Sequence, residues 1–494
     1  MLEWFKSLLT PKKREYDAAR PGGANRFYRP VQSSGAQERS VAWQSVTDKL
    51  RDLDRNNPHV AGMKRRFTAS LVGEGSWPRP KVLKNNPRDR FDFDVRLNTD
   101  ILDRWEVWAK HACANGDSVY QLQRICANSF FIDGGILIHK VVKNGRLCLE
   151  PVELDQLDSN KDYDSGTGNR IVDGIELDQF NEPVAYYISK RFPSECSSKT
   201  FRIPASDIIN LFDRERATSV SGISRLASSV MNFKNIASFR ADTMTLARVA
   251  TGYGLFVETA NPEDFYDMQA PTDEQDIDYV TPGAVHYLRP GEKIQAVNAL
   301  HPGTTYGPFV KSELQSASVG SGMSYESVSN DGANTNFSGA RQMMLFERAM
   351  LRYTFSIFEE QLYSRIYEWF IEFEVSFGGL RMPNFDRLRH RYLRVSWSRP
   401  KTEWVDPLKD AKAASEEIAM GANTITDFCE TNGRDIEEIV ATRKYEKQLF
   451  EKAGLVYPQT IESGDNQNEE TADKSEYQPD GQSTGSVSAE DSAQ

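Results

Sequence analysis

Gly322-Met323-Ser324-Tyr325-Glu326-Ser327-Val328 is followed by a polar gap, Ser329-Asn330-Asp331-Gly332-Ala333-Asn334-Thr335-Asn336-Phe337-Ser338-Gly339, and then by 38 residues, Ala340 to Phe377, without a glycine or a proline. In that last segment Leu351, Phe355, Phe358, Leu362, Ile366 and Trp369 recur in steps of three and four, the stripe of an amphipathic helix. Helical throughout, it would span roughly 55 Å; its end, Phe370 to Phe377, alternates and also fits a strand. A flexible polar loop feeding a very long helix is a mechanical element with no evident chemistry.

Upstream, a second segment free of Gly and Pro runs from Ile223 to Thr251. Ile223, Leu226, Val230, Phe233, Ala237, Ala241 and Met244 place one stripe on a helix about 40 Å long. Residues 252–303 then change character: Gly and Pro are frequent, and Tyr253 to Val257, Val285 to Leu288 and Lys293 to Val297 read as short strands. Between 251 and 288 there are eight acids and no Lys or Arg. A shorter helix fits Phe309 to Val319 and leads into the polar gap.

The first half reads as α/β. Residues 11–45, rich in Pro, Gly, Ser and Arg, read as an extended arm. Helices are predicted from about Val46 to Asn56, His59 to Leu71 (ended by Gly73-Glu74-Gly75), Leu97 to Asn115 with Ile101, Leu102, Trp105, Trp108 and Ala109 on one side, and Ser118 to Phe131. The apolar run Gly134 to Val142, Asn144-Gly145 and Leu147 to Glu150 predict a β-hairpin. Ile171 to Leu177 and Val184 to Ser189 are further strands. At the other end, Arg381 to Lys401 is basic and aromatic, and Asp406 to Gly454 reads as two or three short helices. Residues 461–494 have almost no apolar side chains and are expected to be disordered.

Bulk properties exclude several classes. No run approaches 18 apolar residues, so no membrane span is expected. The start, Met1 to Leu9, is too short and too acidic for a secretory signal and reads as a short amphipathic arm. Five scattered cysteines (113, 126, 148, 196, 429) without a C-x-x-C pair argue for a reducing compartment and against a disulfide framework or a zinc site. The net charge is -11, of which residues 461–494 carry -8 (nine acids, one Lys), leaving -3 on the body. This is not a DNA-gripping basic protein.

Candidate chemistry is thin. Asp158-Ser159-Asn160-Lys161-Asp162-Tyr163-Asp164 has the opening spacing of a calcium loop, but Tyr163 replaces the turn Gly and Asn169 replaces the closing Glu, so it reads as a solvated acidic turn. Asp273, Glu274, Asp276 and Asp278 read as an exposed loop or docking surface ahead of a divalent-ion site. Gly222-Ile223-Ser224-Arg225-Leu226 begins like a nucleophile elbow, lacks its closing Gly, and reads as a helix start. No phosphate-binding loop occurs, and the six histidines show no ligand spacing. Arg381, Arg387, Arg389, Arg391, Arg394, Arg399 and Lys401, interleaved with Tyr392 and Trp397, are candidate phosphate contacts, weighed against the stronger reading of a solvated strand or subunit interface.

Across residues 46 to 457 the chain resembles the lambda-type portal proteins of tailed bacteriophages. The resemblance is carried by Arg55-Asn56-Asn57-Pro58-His59-Val60-Ala61-Gly62, Leu71-Val72-Gly73-Glu74-Gly75, Asp133-Gly134-Gly135-Ile136-Leu137 and Glu182-Pro183-Val184-Ala185-Tyr186-Tyr187. Ile203-Pro204-Ala205-Ser206-Asp207, Ser221-Gly222-Ile223-Ser224-Arg225-Leu226-Ala227, Met323-Ser324-Tyr325-Glu326, Asn336-Phe337-Ser338-Gly339-Ala340-Arg341, Trp397-Ser398-Arg399-Pro400 and Asp406-Pro407-Leu408 continue it. Their order and spacing carry the match, not any single motif. Two positions depart from the family pattern: Asn210 stands where His is usual, and Thr218-Ser219-Val220 replaces a Gln-containing turn.

The resemblance implies a mixed α+β portal fold assembled as a twelvefold ring at one vertex of the phage head, in the virion, after assembly in the host cytoplasm. It implies an N-terminal arm (1–45), an α/β wing (46–222), stem helices (223–251 and 304–322) around a clip (252–303), a tunnel loop (323–338), a long helix with a returning wing segment (339–403), a helical crown (404–460) and an acidic tail (461–494). Asn330, Asp331, Asn334, Thr335 and Asn336 are then expected to face a channel for double-stranded DNA. Asp273, Glu274, Asp276 and Asp278 are expected to dock partners, and Arg387, Arg389, Arg391 and Arg394 to contact DNA or a neighbouring subunit. Expected partners are further copies of the chain, the duplex, the terminase large subunit, the major capsid or scaffold protein and head-tail connector proteins; no membrane, cofactor, metal or catalytic residue is expected. The rival readings are a monomeric cytosolic α/β hydrolase, which lacks a nucleophile-base set, and a structural ring without DNA passage.

Overall fold

The computed structural model describes residues 32–84, 92–159, 168–189, 199–251, 255–259, 292–296, 305–332, 337–400, 407–432, 434, 436–455 and 457. The chain divides into two compact units, residues 1–433 and 434–494.

The first unit opens on α1 (Gly35–Asn56), eleven residues ahead of the expected start. Ser34 accepts from the Gln37 amide while the Gln37 side chain accepts from the Ser34 amide, a capping box that sets the helix end. The expected arm therefore ends before residue 35. Asn57 caps α2 (Pro58–Val72), with Pro58 in the first turn, where its missing N–H costs nothing. A short strand β1 (Pro78–Pro80) and the helices α3 (Val95–Ala109) and α4 (Val119–Ile132) follow. On α3, Ile101, Trp105, Trp108 and Ala109 are buried as predicted, whereas Leu102 is exposed.

Strands β2 (Gly135–Lys143) and β3 (Arg146–Val152) form the predicted hairpin, turning on Asn144 (φ 53°) and Gly145 (φ 73°). The expected single strand at 171–177 is itself a hairpin. Strands β4 (Arg170–Val172) and β5 (Ile175–Leu177) turn on Asp173 (φ 50°) and Gly174 (φ 74°), another positive-φ pair. With β6 (Pro183–Ser189) and β7 (Thr200–Pro204) they make an antiparallel sheet of order β4-β5-β6-β7. Strand β8 (Ile208–Phe212) returns to β2, giving the order β3-β2-β8.

Strand β2 reads as an unbroken apolar run because both of its faces are covered. Ile136 and Ile138 join the large core with α2, α3 and α4, while Leu137 joins a second core with Val172, Ile175, Leu177, Tyr186 and Ile188 of the four-stranded sheet. Helix α1 bridges the two cores, with Leu50 in the first and Trp43 in the second.

The helix expected from Ile223 starts later, as α5 (Val230–Thr251). Residues 224–229 instead form tight turns, with the Ala227 amide donating to Ser224 O and the Ser229 amide to Leu226 O. Helix α6 (Tyr306–Ser321) packs antiparallel to α5: Ser229 Oγ donates to Ala317 O (3.2 Å), Asn232 Nδ2 to Glu313 (2.9 Å), and Phe239 meets Tyr306 and Phe309. The contact face runs through Phe233 and Ile236, so Ala237, Ala241 and Met244, placed on the predicted stripe, are exposed. Between the two helices, β9 (Leu255–Thr259) and β10 (Glu292–Ala296) pair antiparallel, close to two of the three expected strands. Val285 to Leu288 lies outside the described residues.

After the short helix α7 (Tyr325–Ser329), residues Phe337 to Ser376 are helical throughout: α8 (Phe337–Phe358), a π-helical turn (Glu359–Tyr363) and α9 (Ser364–Ser376). The alternating end is helix, not strand. Phe355, Phe358, Leu362, Ile366 and Trp369 are buried as the stripe predicts. At the π turn, Gln361 accepts the Phe212 amide at 3.0 Å, tying the end of β8 to the long helix. Helix α10 (Phe385–Tyr392) leads to β11 (Val395–Trp397), which pairs with β1. Around Trp105 the rings of Trp108, Phe370, Trp397 and Tyr367 lie within 5.0 to 6.1 Å, stapling α3 to the long helix and β11. Helices α11 (Pro407–Ala419) and α12 (Ile425–Thr431) close the first unit. The second unit contains α13 (Ile436–Lys452), so the expected two or three helices are three.

Candidate functional site

The polar gap is rooted in two left-handed turns. Gly322 (φ 72°) caps α6 and Asn330 (φ 58°) ends α7. Ser324 caps the start of α7 by accepting the Ser327 amide, and its own amide donates to Glu347 of α8 at 2.6 Å. From α2, Arg66 donates Nη1 to Ser327 O and Nη2 to Asn330 Oδ1 (2.6 Å), and His59 Nδ1 lies 3.3 Å from Val328 O. Asn330 and Asp331 are thus placed at the foot of the gap, while Asn334, Thr335 and Asn336 lie outside the described residues. So do Asp273, Glu274, Asp276 and Asp278.

Beside this root, Arg225 joins three elements. Its Nη2 donates to Asp213 (2.7 Å), its Nη1 to Thr354 of α8 (2.8 Å), and its plane lies over the rings of Phe130 and Tyr353. Tyr353 in turn donates its hydroxyl to Asp213 at 2.8 Å, and that bond is the main cause of a phenol pKa raised above the ordinary value. Arg225 is thus a largely buried tie between the end of β8 and the long helix.

The basic stretch does not act as one patch. Arg389 is paired with Glu368 and Glu372 of α9, and these two carboxylates, Glu368 first, raise its pKa. Arg391 donates Nε to Leu83 O at 3.1 Å. Arg394 is half-buried, its carbonyl accepting the Lys81 amide, and Arg387 is exposed. Two of the four candidates, Arg389 and Arg391, are therefore engaged within the subunit, an arrangement that is neither the solvated strand nor the subunit interface expected from the sequence.

Ser224, the serine of the elbow-like motif, is 4% exposed; its Oγ donates to Phe131 O (2.7 Å) and accepts the Leu226 amide (3.1 Å). It is a turn-forming serine. Asp158 accepts from Thr200 Oγ1 at 2.8 Å, and the remainder of that acidic run, residues 160–164, lies outside the described residues. His139 pairs with Glu150 across the β2–β3 hairpin at 3.0 Å. Cys113, Cys126, Cys148 and Cys429 are free and buried, and burial pushes the Cys113 thiol up to about 12. No helix among the described residues is long and apolar enough to cross a membrane.

Sequence reading missed an exposed apolar surface. Helix α8 exposes Met343, Met344, Leu345, Phe346 (60% exposed), Met350 and Tyr353. Helix α5 adds exposed Met231, Met244 and Leu246. Apolar residues on several faces of one helix, read without tertiary partners, look like an ordinary core stripe.

Residues 22–354, more than half of the chain, match the profile of the family described as phage portal protein, lambda family. The chain belongs to the lambda family of phage portal proteins. A probable portal protein of Halomonas phage phiHAP-1 is 22% identical over 435 residues, covering 84% of this chain and 82% of that one. The portal protein of Escherichia phage N15 is 21% identical over 492 residues, 88% of this chain and 90% of that one. Portal protein B of Escherichia phage lambda is 25% identical over 181 residues, 35% of this chain and 34% of that one. Among solved structures, a chain from the neck of a native gene transfer agent particle, computed with C12 symmetry, aligns with 82% of this chain and 94% of its own at 11% identity and a TM-score of 0.45.

Proposed function

We propose that this chain is the subunit of a homododecameric portal ring at one capsid vertex of a tailed phage. The ring conducts double-stranded DNA during packaging and ejection, and it docks the terminase large subunit and later the head-tail connector proteins. Membership of the portal family supports the class. The observation that carries the assembly is the exposed apolar surface of α8 and α5. A lone subunit keeps these side chains in water at a cost of roughly 25 cal/mol per Å², and neighbouring copies in a ring would cover them.

In this reading residues 46–222 are the wing, the antiparallel pair α5 and α6 is the stem, 252–303 is the clip and 404–460 is the crown. Residues 323–338 are the tunnel loop, with Asn330, Asp331, Asn334, Thr335 and Asn336 toward the duplex. A body that carries only -3 of the -11 net charge suits a conduit, because many fixed cations would hold a sliding phosphate backbone. Asp273, Glu274, Asp276 and Asp278 suit a clip that steers basic partner surfaces.

Negative-stain electron microscopy of the purified protein, with its mass in solution, tests the assembly. Rings with a central hole and a mass near twelve or thirteen subunits support the reading; a 56.0 kDa monomer at high concentration overturns it. Rings whose hole is too narrow for a duplex would leave a structural ring without DNA passage. Deleting residues 330–336 is expected to spare ring formation and impair DNA packaging or retention, and unchanged packaging and retention would remove the tunnel-loop assignment.

A further inference from the structure

Helix α7 is held in place by polar bonds as well as by the packing of Val328 and Tyr325 on the large core. Of its five residues only Val328 is buried. Glu326 O takes the amide of the capping Asn330, and the next two carbonyls are served from α2: Ser327 O by Arg66 and Val328 O by His59. His59 and Arg66 are seven residues apart and share one face of α2. The Arg66 fork also takes Asn330 Oδ1, the side chain of the left-handed residue that ends α7. A cation at a helix C-terminus is favoured by the dipole as well as by the bonds. Next to α7 lies a cavity of about 110 Å³ whose walls include Arg66, Phe67, Met323, Ser327, Met350 and Leu351. Filled cores resist displacement, whereas an element beside open space does not.

We infer that Arg66 is a positioning residue that latches α7 onto α2, so that its bonds to Ser327 and Asn330 decide whether residues 324–330 hold their place. The latch sets the position of the foot of the polar gap from the α/β region, which rests on the proposed reading only for what the gap then touches. Opening α7 breaks a few bonds and uncovers only one fully buried side chain, Val328, beside the half-buried Tyr325, which puts it toward the low-stability end of the subunit.

Amide hydrogen exchange of the purified full-length protein, in whatever assembly it forms, reads the latch directly. Arg66→Ala is expected to raise exchange over 324–330 by about tenfold or more, with exchange across α4 and α9 unchanged. Arg66→Lys, a point charge without the fork, should fall between. Asn330→Asp offers a full negative charge to the same guanidinium in a residue that tolerates the left-handed turn, and should slow exchange there; a gain of protection cannot come from misfolding. Unchanged exchange over 324–330 in both Arg66→Ala and Asn330→Asp, or a rise spread evenly over the subunit, overturns the latch. The readout needs neither a ring nor DNA: a confined rise in a protein that forms no ring keeps the latch while overturning the portal reading.

Discussion

Gly222 crosses Gly134 so closely that a Cβ on Gly222 would lie 2.0 Å from the Gly134 carbonyl oxygen. The reverse holds as well: a Cβ on Gly134 (φ 88°) would sit 2.3 Å from the Ile223 carbonyl carbon. The contact is backbone on backbone, so no side chain can give way. It delivers the chain from β8 into α5 across the start of β2. Gly222→Ala is expected to cost about 3 kcal/mol or more, at the upper end of overpacking. Gly62→Ala is the control: it lies within α2 with nothing within 4 Å of its Cβ, and alanine there should stabilise by about 0.5–1 kcal/mol. Chemical denaturation of the two variants checks both, and a Gly222→Ala protein as stable as Gly62→Ala would refute the crossing.

Arg39 donates to Asp173 at 2.6 Å with both side chains 5% exposed, and its Nε reaches Gly222 O. Burial is the largest influence on the Arg39 guanidinium and lowers its pKa, with Asp173 opposing. Asp173→Asn keeps a residue that accepts the left-handed turn but strands the cation, and should cost about 3–5 kcal/mol. Adding Arg39→Met should recover part of that loss. A double variant less stable than Asp173→Asn alone would contradict the account.

Glu176, 2% exposed, accepts from Arg202 (2.9 Å), Asn169 (2.9 Å) and Tyr187 (3.2 Å), and the Arg202 bond chiefly holds its pKa below the ordinary value. Its contribution is therefore complete above the unfolded carboxylate value of about 4.3 and disappears as pH falls through the depressed folded value. Asp133 and Glu153 run the other way: burial raises both, so their contribution is present at low pH and is lost as pH rises through the folded values. Thermal unfolding between about pH 6 and about pH 3 should show a smaller fall in Tm for Glu176→Gln than for the parent protein. Equal falls would assign the acid sensitivity elsewhere.

Phe346→Asp alters an exposed position on α8, so the isolated subunit should keep its stability within about 0.5 kcal/mol. Ring formation, read by sedimentation, should be lost. Intact rings from this variant would show that the α8 face is not covered by a second copy.

Arg389→Ala removes the cation shared by Glu368 and Glu372, two carboxylates four residues apart on one helix, and leaves Glu368 with Arg365. At these partly exposed positions the loss should be about 1 kcal/mol, smaller at high salt. Arg387→Ala, exposed, should change stability by less than half as much.

Periodicity and turn chemistry made much of the fold legible. The stripe from Leu351 to Trp369, the Asn144-Gly145 hairpin and the Asn57-Pro58 break all act through neighbours a few residues away, and each is found. Two further local signals lie in the sequence: Ser34 with Gln37, which starts α1, and Asp173-Gly174, which splits one strand into two. The proposed channel face was legible only as a polar gap between helices.

The order of the sequence by itself determined where helices, hairpins and the gap fall, because dihedral preference, capping and hydrophobic period are short-range. Tertiary structure alone decided which charges are spent within the subunit and which faces stay open. Arg66 finds Ser327 and Asn330, Arg39 finds Asp173, and Arg389 finds Glu368, across separations of 261, 264, 134 and 21 residues that carry no local mark. A guanidinium looks alike in any sequence; only packing determines whether a carboxylate, a carbonyl or water completes it. The same holds for Gly134 and Gly222, whose crossing exists only once β2, β8 and α5 have brought the two backbones together.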